Sequence, residues 1–192
     1  MIWMMSVPAP QKPASEGEQL DSLIVGIAAG DKGCLEELYR RTRAAVYGFA
    51  LSYLKDPAEA EDVMQDAFVR VWDAAAGFRP QGKPMAWLMT IVRNLALGRL
   101  RETARTGHME PEQWDALPAA GEPVSPEDRA LLQLVMGRLT DEECRIVTLH
   151  AAAGLKHREI AQLMELPLPT VLSKYHRALK KLKTMMEGED RL

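Results

Sequence analysis

Residues 157–183 read HREIAQLMELPLPTVLSKYHRALKKLK. Ile160, Ala161, Leu163 and Met164 make one apolar helical face, with Ala161 small enough for two helices to cross closely. Glu165-Leu166-Pro167 breaks that face as a turn, and Pro169-Thr170 opens a longer helix. A short helix, a sharp turn and a second helix form the layout of a helix-turn-helix, whose second helix enters the DNA major groove. In that second helix Val171, Tyr175, Ala178, Leu179 and Leu182 recur at helical spacing and are expected to pack inward. Leu172, Ser173, His176, Arg177 and Lys180 are left facing outward. From Thr170 to Lys183 there are five cations, Lys174, Arg177, Lys180, Lys181 and Lys183, and no acid. Cations on an exposed helix attract phosphates, while Ser, His and Arg also reach base edges. Ser173, His176 and Arg177 are thus the expected base readers, and Lys174, Lys180 and Lys181 the expected phosphate contacts. The helix dipole alone also favours a basic helix end, but it does not explain the preceding short helix and turn.

Working upstream, Thr140-Asp141-Glu142-Glu143 reads as an N-cap followed by acids, opening a helix that runs to about Ala153 before Gly154 stops it. Residues 126–139 are expected to be helical. Between Gly107 and Pro126 the periodicity vanishes among Pro111, Pro118, Gly121 and Pro123. Four helices are expected earlier, over Leu20–Ala29, Asp31–Leu54, Pro57–Ala76 and Pro84–Thr103. Asp56 caps the third, Pro57 suits its first turn, and Gly77, Pro80, Gly82 and Pro84 punctuate the loop before the fourth. No segment alternates with period two. The expectation is an all-α chain of two small helical domains, a four-helix N-terminal domain (20–105) and a helix-turn-helix C-terminal domain (126–186). A flexible acidic linker (106–125) joins them, with a disordered tail over 1–19 and a short tail over 187–192.

Charge is sorted along this plan. The formal net charge is -3, which looks wrong for a DNA binder until it is split. Residues 1–105 carry 13 basic and 13 acidic side chains, residues 106–136 one and six, and residues 137–192 ten and eight. Most of the negative charge lies in the middle, and distribution rather than total decides which surface attracts a polyanion. Within the first half, the third helix sets Asp56, Glu59, Glu61, Asp62, Asp66 and Asp73 against Arg70 alone. Such a helix repels DNA and suits a basic protein surface, or is simply a solvated acidic face. The fourth has the opposite sign, with Arg93, Arg99, Arg101 and Arg105 against Glu102, and Arg79 and Lys83 in the loop before it. Together with Trp87 and Asn94 these residues could hold a single strand and an unstacked base. Trp87 could equally be core, and Arg93 could be satisfied by a neighbouring acid.

The run Ala60-Glu61-Asp62-Val63-Met64-Gln65-Asp66-Ala67-Phe68, then Trp72, resembles the polymerase-binding helix of extracytoplasmic-function sigma factors. Ala86-Trp87-Leu88, Ile91, Arg93-Asn94 and Arg99-Leu100-Arg101 resemble their promoter −10 helix. Leu139-Thr140-Asp141-Glu142, Gly154-Leu155, Glu159-Ile160-Ala161, Thr170-Val171, Ser173 and His176-Arg177-Ala178 resemble their −35-reading domain. The likeness spans about Leu20 to Lys183. It implies a protein that directs core RNA polymerase to promoters. Glu59, Glu61, Asp62, Gln65, Asp66 and Phe68 would grip the polymerase, whose β′ and β subunits are the implied partners. Phe78 in the loop Gly77–Lys83, with Arg79, Lys83, Trp87, Arg93, Asn94, Arg99 and Arg101, would take the −10 strand. Thr170 would join the −35 contacts, the acidic linker would run toward the RNA exit path, and an anti-sigma protein would hold the chain inactive. Leu172 stands where the family usually has Lys or Arg. His157 replaces a usual Ser or Thr cap, Glu165 and Pro169 replace common glycines, and Gly98 replaces a usual Asp.

Other classes are disfavoured. Cys34 and Cys144 are too few and too far apart for a disulfide framework or a paired zinc motif, and both read as small buried apolar residues. No Ser/His/Asp order, phosphate loop or metal-ligand pair appears, so no enzyme, cofactor or metal is expected. No apolar run reaches the roughly 18–20 residues that span a bilayer, and Met1–Met5 followed by Pro8, Pro10 and Pro13 does not read as a signal peptide. A cytoplasmic protein without membrane insertion is expected. The rival reading is a stand-alone helix-turn-helix regulator, which would need dimerisation for paired half-sites and leaves the acidic helix unexplained.

Overall fold

The computed structural model of the chain describes residues 15–106 and 137–189, and every regular element in them is helical. Helix α1 spans Glu16–Ala28. It starts four residues earlier than the sequence pattern suggested because Ser15 and Glu18 form a capping box, with Ser15 N–H donating to Glu18 Oε2 at 2.7 Å. Residues 16–19 therefore belong to a helix rather than to a tail. Helix α2 spans Lys32–Leu54 behind the N-cap Asp31, and α3 spans Pro57–Ala74 behind the N-cap Asp56. A single 3₁₀ turn over Ala75–Gly77 leads into the loop before α4, Pro84–Thr106. Leu38, Val46, Phe49, Val63, Met64, Ala67, Val71, Leu88, Met89 and Val92 are all buried. On α3 the buried residues Ala60, Val63, Met64, Ala67, Phe68 and Val71 recur at steps of three and four, the apolar stripe of an amphipathic helix.

The C-terminal unit begins with α5, Asp141–Val147, capped by Thr140. A π turn over Thr148–Ala152 follows, in which Ala153 N–H donates to Thr148 O at 3.1 Å. Gly154, at φ 68°, turns the chain into α6, His157–Met164. Helix α7 then runs over Leu168–Glu189, so residues 187–189 are helical rather than tail. The linker expected over 106–125 lies outside the described residues except for Thr106. Of the helix expected over 126–139, only Gly137 and Arg138 are described as helical.

The two units pack together. Ile146, Leu149, Leu155, Ile160 and Val171 join the same buried apolar cluster as the core of α1–α4. Helix α5 and the π turn lie against α2, and α6 lies against α4. Leu139, Cys144 and Ala178, with Val147 and Leu182 around them, form a smaller cluster that seats α7. Two expectations fail here. Leu179 is 41% exposed; among the described residues α5 and α6 are the helices that pack on α7, and the stripe they cover runs through buried Val171 and Ala178 and half-buried Leu182. Cys34 is only half-buried, with Sγ 3.4 Å from Asp31 Oδ2, whereas Cys144 is buried.

Candidate nucleic-acid and protein interfaces

The helix-turn-helix closes at Glu165, which caps α6 in the left-handed region at φ 56°. Leu166 N–H donates to Ala161 O at 3.0 Å, and Thr170 N–H to Pro167 O at 3.0 Å. The N-cap of α6 is Lys156, one residue before the histidine that was expected to replace a cap, and Glu159 Oε2 accepts its backbone N–H at 2.9 Å. Ser173, His176, Arg177 and Lys180 are exposed along one side of α7, and Arg177 Nη2 donates to Ser173 Oγ at 3.4 Å. Thr170 is half-buried at the start of that side. Lys174 and Lys181 point elsewhere. Lys174 Nζ lies 2.6 Å from Glu142 and Lys181 Nζ 2.6 Å from Glu143, so both cations bind α7 to the acidic start of α5. Burial alone would raise the Glu143 carboxyl. Lys181 and the Thr140 backbone outweigh it and hold the group below its ordinary value of 4.5.

Behind the start of α7 lies a ring cluster that sequence reading did not assemble. His150 and His157 stack at 4.4 Å, and both meet Tyr175 edge-on, at 4.8 and 4.7 Å. His150 Nδ1 sits 2.9 Å from Leu155 O, while His157 Nε2 is buried without a partner. Desolvation, with His150 and His176 nearby, pushes His157 below its ordinary value.

The basic face of the first unit gathers around the loop ahead of α4. Phe78 and Trp87 pack at 4.9 Å, both half-buried, beside exposed Arg79 and Lys83. Asp21, buried on α1, accepts Gly82 N–H at 2.8 Å and so fixes the loop. That residue was missed, since nothing in α1's pattern marks one acid as turned inward. Asn94 and Arg101 are exposed on α4. Arg93 is satisfied by an acid, Glu165 at 3.1 Å, but the acid comes from the other unit. Arg99 lies 3.5 Å from Asp66 and 3.9 Å from Glu59, tying α4 to α3.

On α3 the outer face carries Asp62, Gln65, Asp66, Val69 and Asp73, all exposed. Glu59 and Glu61 are half-buried at its flank. Phe68 faces the other way, 6% exposed and edge-on to Tyr39 at 4.9 Å, so it is core rather than contact surface. Val69, 62% exposed among the acids, was overlooked; its signal is a valine out of phase with the buried stripe. A protruding apolar side chain on a face that also carries exposed Asp62, Asp66 and Asp73 suits a basic protein surface with an apolar centre.

Comparison with known proteins gives a consistent answer. The model for Sigma-70 region 2 matches residues 38–106, and that for Sigma-70, region 4 matches residues 129–182. The ECF RNA polymerase sigma factor SigK of Mycobacterium sp. (strain KMS) is 28% identical over 174 residues, 87% of this chain and 90% of that one. The protein of the same name from Mycobacterium ulcerans is 25% identical over 184 residues, 92% of this chain and 98% of that one. Among solved structures, CnrH in complex with the cytosolic domain of CnrY superposes with a TM-score of 0.59 at 24% identity, covering 88% of this chain and 98% of that one. The sigma factor RpoE of Bartonella quintana, solved with the anti-sigma factor NepR, superposes at 0.53 and 22% identity over 74% and 90%. These two share the fold.

Proposed function

The chain belongs to the extracytoplasmic-function sigma factors, and we infer from that premise which of its surfaces meets which partner. It binds core RNA polymerase and directs it to promoters to start transcription. The outer face of α3, Asp62, Gln65, Asp66 and Val69 with Glu59 and Glu61 at its flank, docks on the polymerase. The loop Gly77–Lys83 and α4 take the −10 strand, with Trp87 and Phe78 offered to an unstacked base and Arg79, Lys83, Arg93, Asn94, Arg99 and Arg101 to the strand. On α7, Ser173, His176 and Arg177 read −35 bases while Thr170 and Lys180 touch phosphate. Lys174 and Lys181 brace that helix and add to its positive field. The two domains, 20–105 and 126–186, would each take one promoter element, with 106–125 between them.

One observation supports this reading above the rest. Opposite charges lie on separate helices, with exposed carboxylates on α3 and exposed cations on α7. A stand-alone regulator has no use for the first. The chain would work in the cytoplasm, contribute no catalytic group, and be held inactive by an anti-sigma protein; a solved relative was crystallised in complex with the anti-sigma factor NepR. Among the described residues no helix is long and apolar enough to cross a membrane.

Transcription reconstituted with core polymerase on a randomised promoter library tests the assignment. Enrichment of paired elements at −35 and −10 is the expected result. Duplex binding without capture of core polymerase would favour the stand-alone regulator.

A further inference from the structure

We propose that the free chain closes on itself, with α6 lying over the −10 surface so that Glu159 and Glu165 occupy positions that strand phosphates would take. The proposal rests on the reading of the Trp87 face as the −10 site. Between that face and α6 lies a cleft of about 500 Å³, with Phe78, Arg79 and Trp87 on one wall and Glu159, Gln162 and Leu163 on the other. A base entering beside Trp87 would have to share this space with the helix-turn-helix. Glu165 Oε1 lies 3.1 Å from Arg93 Nη2, and Glu159 Oε1 lies 4.0 Å from Lys83 Nζ. Between Glu143 and Glu187 these are the only two acids in the sequence, and both face cations of the −10 surface.

Backbone strain points the same way. Among the described residues only two non-glycine side chains sit at positive φ, Lys55 at 63° and Glu165 at 56°. Glycine would occupy either position without steric penalty. Each instead carries a long charged side chain that crosses to the other unit, Lys55 to Asp141 and Glu165 to Arg93. Arg145 adds a third crossing, donating from Nη2 to Ser52 O at 3.3 Å and lying over the Tyr53 ring at 3.8 Å. Lys55, Asp141 and Arg145 lie outside both proposed DNA surfaces, so they would close the molecule without serving DNA. Binding of the −10 strand would then require α6 to leave α4, so the free chain would hold that strand weakly. Exposed ion pairs are individually modest; the shared apolar cluster that includes Ile146, Leu149, Leu155, Ile160 and Val171 carries the rest of the closure.

The test uses the full chain without polymerase and a single-stranded oligonucleotide carrying the −10 sequence selected by the holoenzyme. Glu165→Gln removes the charge but keeps the backbone, and Glu159→Gln keeps the capping group of α6. Each variant is expected to bind the strand roughly two- to five-fold more tightly, and the pair about ten-fold. Small-angle scattering should show the double variant expanded relative to the parent. Equal affinity and equal dimensions for parent and double variant would overturn the closure. Trp87→Ala in the holoenzyme, measured by promoter opening, checks the premise separately; an unchanged −10 preference there would remove the −10 assignment and the proposal with it.

Discussion

Lys181 Nζ lies 2.6 Å from Oε2 of Glu143, a carboxylate that is 1% exposed as a residue and also caps the start of α5. One buried acid therefore fixes the helix that starts the C-terminal unit and the middle of the helix assigned to DNA. Because Lys181 is itself 38% exposed, removing Glu143 leaves a cation that can turn to water rather than a trapped one. Glu143→Ala is expected to destabilise the chain by about 2 kcal/mol, from a lost cap and a lost charge-assisted bond. The folded carboxyl sits below 4.5, so its contribution is present above that pH and disappears as pH falls through the folded value. Chemical denaturation at several pH values should show a steep acid limb in the parent and a shallower one in Glu143→Gln.

His157 gives a second pH dependence, in a different window. Its half-buried ring packs against His150 and Tyr175 with Nε2 buried and unpartnered, and desolvation lowers its affinity for a proton. The unfolded chain protonates near 6.5 while the folded one resists, so stability present above 6.5 is lost as pH falls below it toward the folded value. Thermal denaturation at pH 7.5 and 5.5 should differ more for the parent than for His157→Gln. Equal differences would show that the other histidines carry the effect.

Asp62 and Val69 test the surface proposed to meet the polymerase. Asp62→Lys reverses a charge in the centre of the exposed face of α3 and is expected to abolish capture of core polymerase while leaving the melting temperature unchanged. Val69→Ala should weaken capture by about 1 kcal/mol. Retention of full polymerase affinity by Asp62→Lys would remove α3 from the interface.

Much of this was legible in the sequence, and what was not shares a cause. The limits of α6 fell where the pattern placed them, because apolar periodicity and the turn at Glu165–Pro167 are local signals. The buried stripe of α3, Ala60, Val63, Met64, Ala67 and Val71, follows the same kind of local periodicity. The inward turn of Asp21, the outward position of Leu179 and the crossing of Glu165 to Arg93 depend on what another element covers or offers. Sequence spacing carries no information about that. The π turn over Thr148–Ala152 was also invisible, since the residues of one wide turn have no distinctive composition. Glu165 shows the limit most clearly. As sequence it is a departure from a family glycine; in the structure it is half of an ion pair spanning 72 positions.

Arg177 tests the surface proposed for the −35 element. It is exposed on α7 and steadied by Ser173 Oγ. If it reads a base edge, Arg177→Ala should cost about 1–3 kcal/mol on the preferred −35 duplex and relax preference at one position. Competition binding against a panel of single-base variants measures both. A uniform loss on every duplex would reassign Arg177 to phosphate.

Gly98 lies within α4, and a Cβ built there meets nothing within 4 Å. Close packing therefore does not require the glycine, and a helix-interior glycine costs about 0.5–1 kcal/mol relative to alanine. Its neighbours at helical spacing are Asn94 and Arg101, both exposed on the surface assigned to the −10 strand. A bare backbone between two polar side chains is a place where a nucleic-acid strand can come close. Gly98→Ala is accordingly expected to raise thermal stability by that amount and to slow promoter opening by the holoenzyme. Raised stability with unchanged opening would show that the strand passes elsewhere and that the glycine is only tolerated. Unchanged stability would mean that the open space beside it is filled in solution.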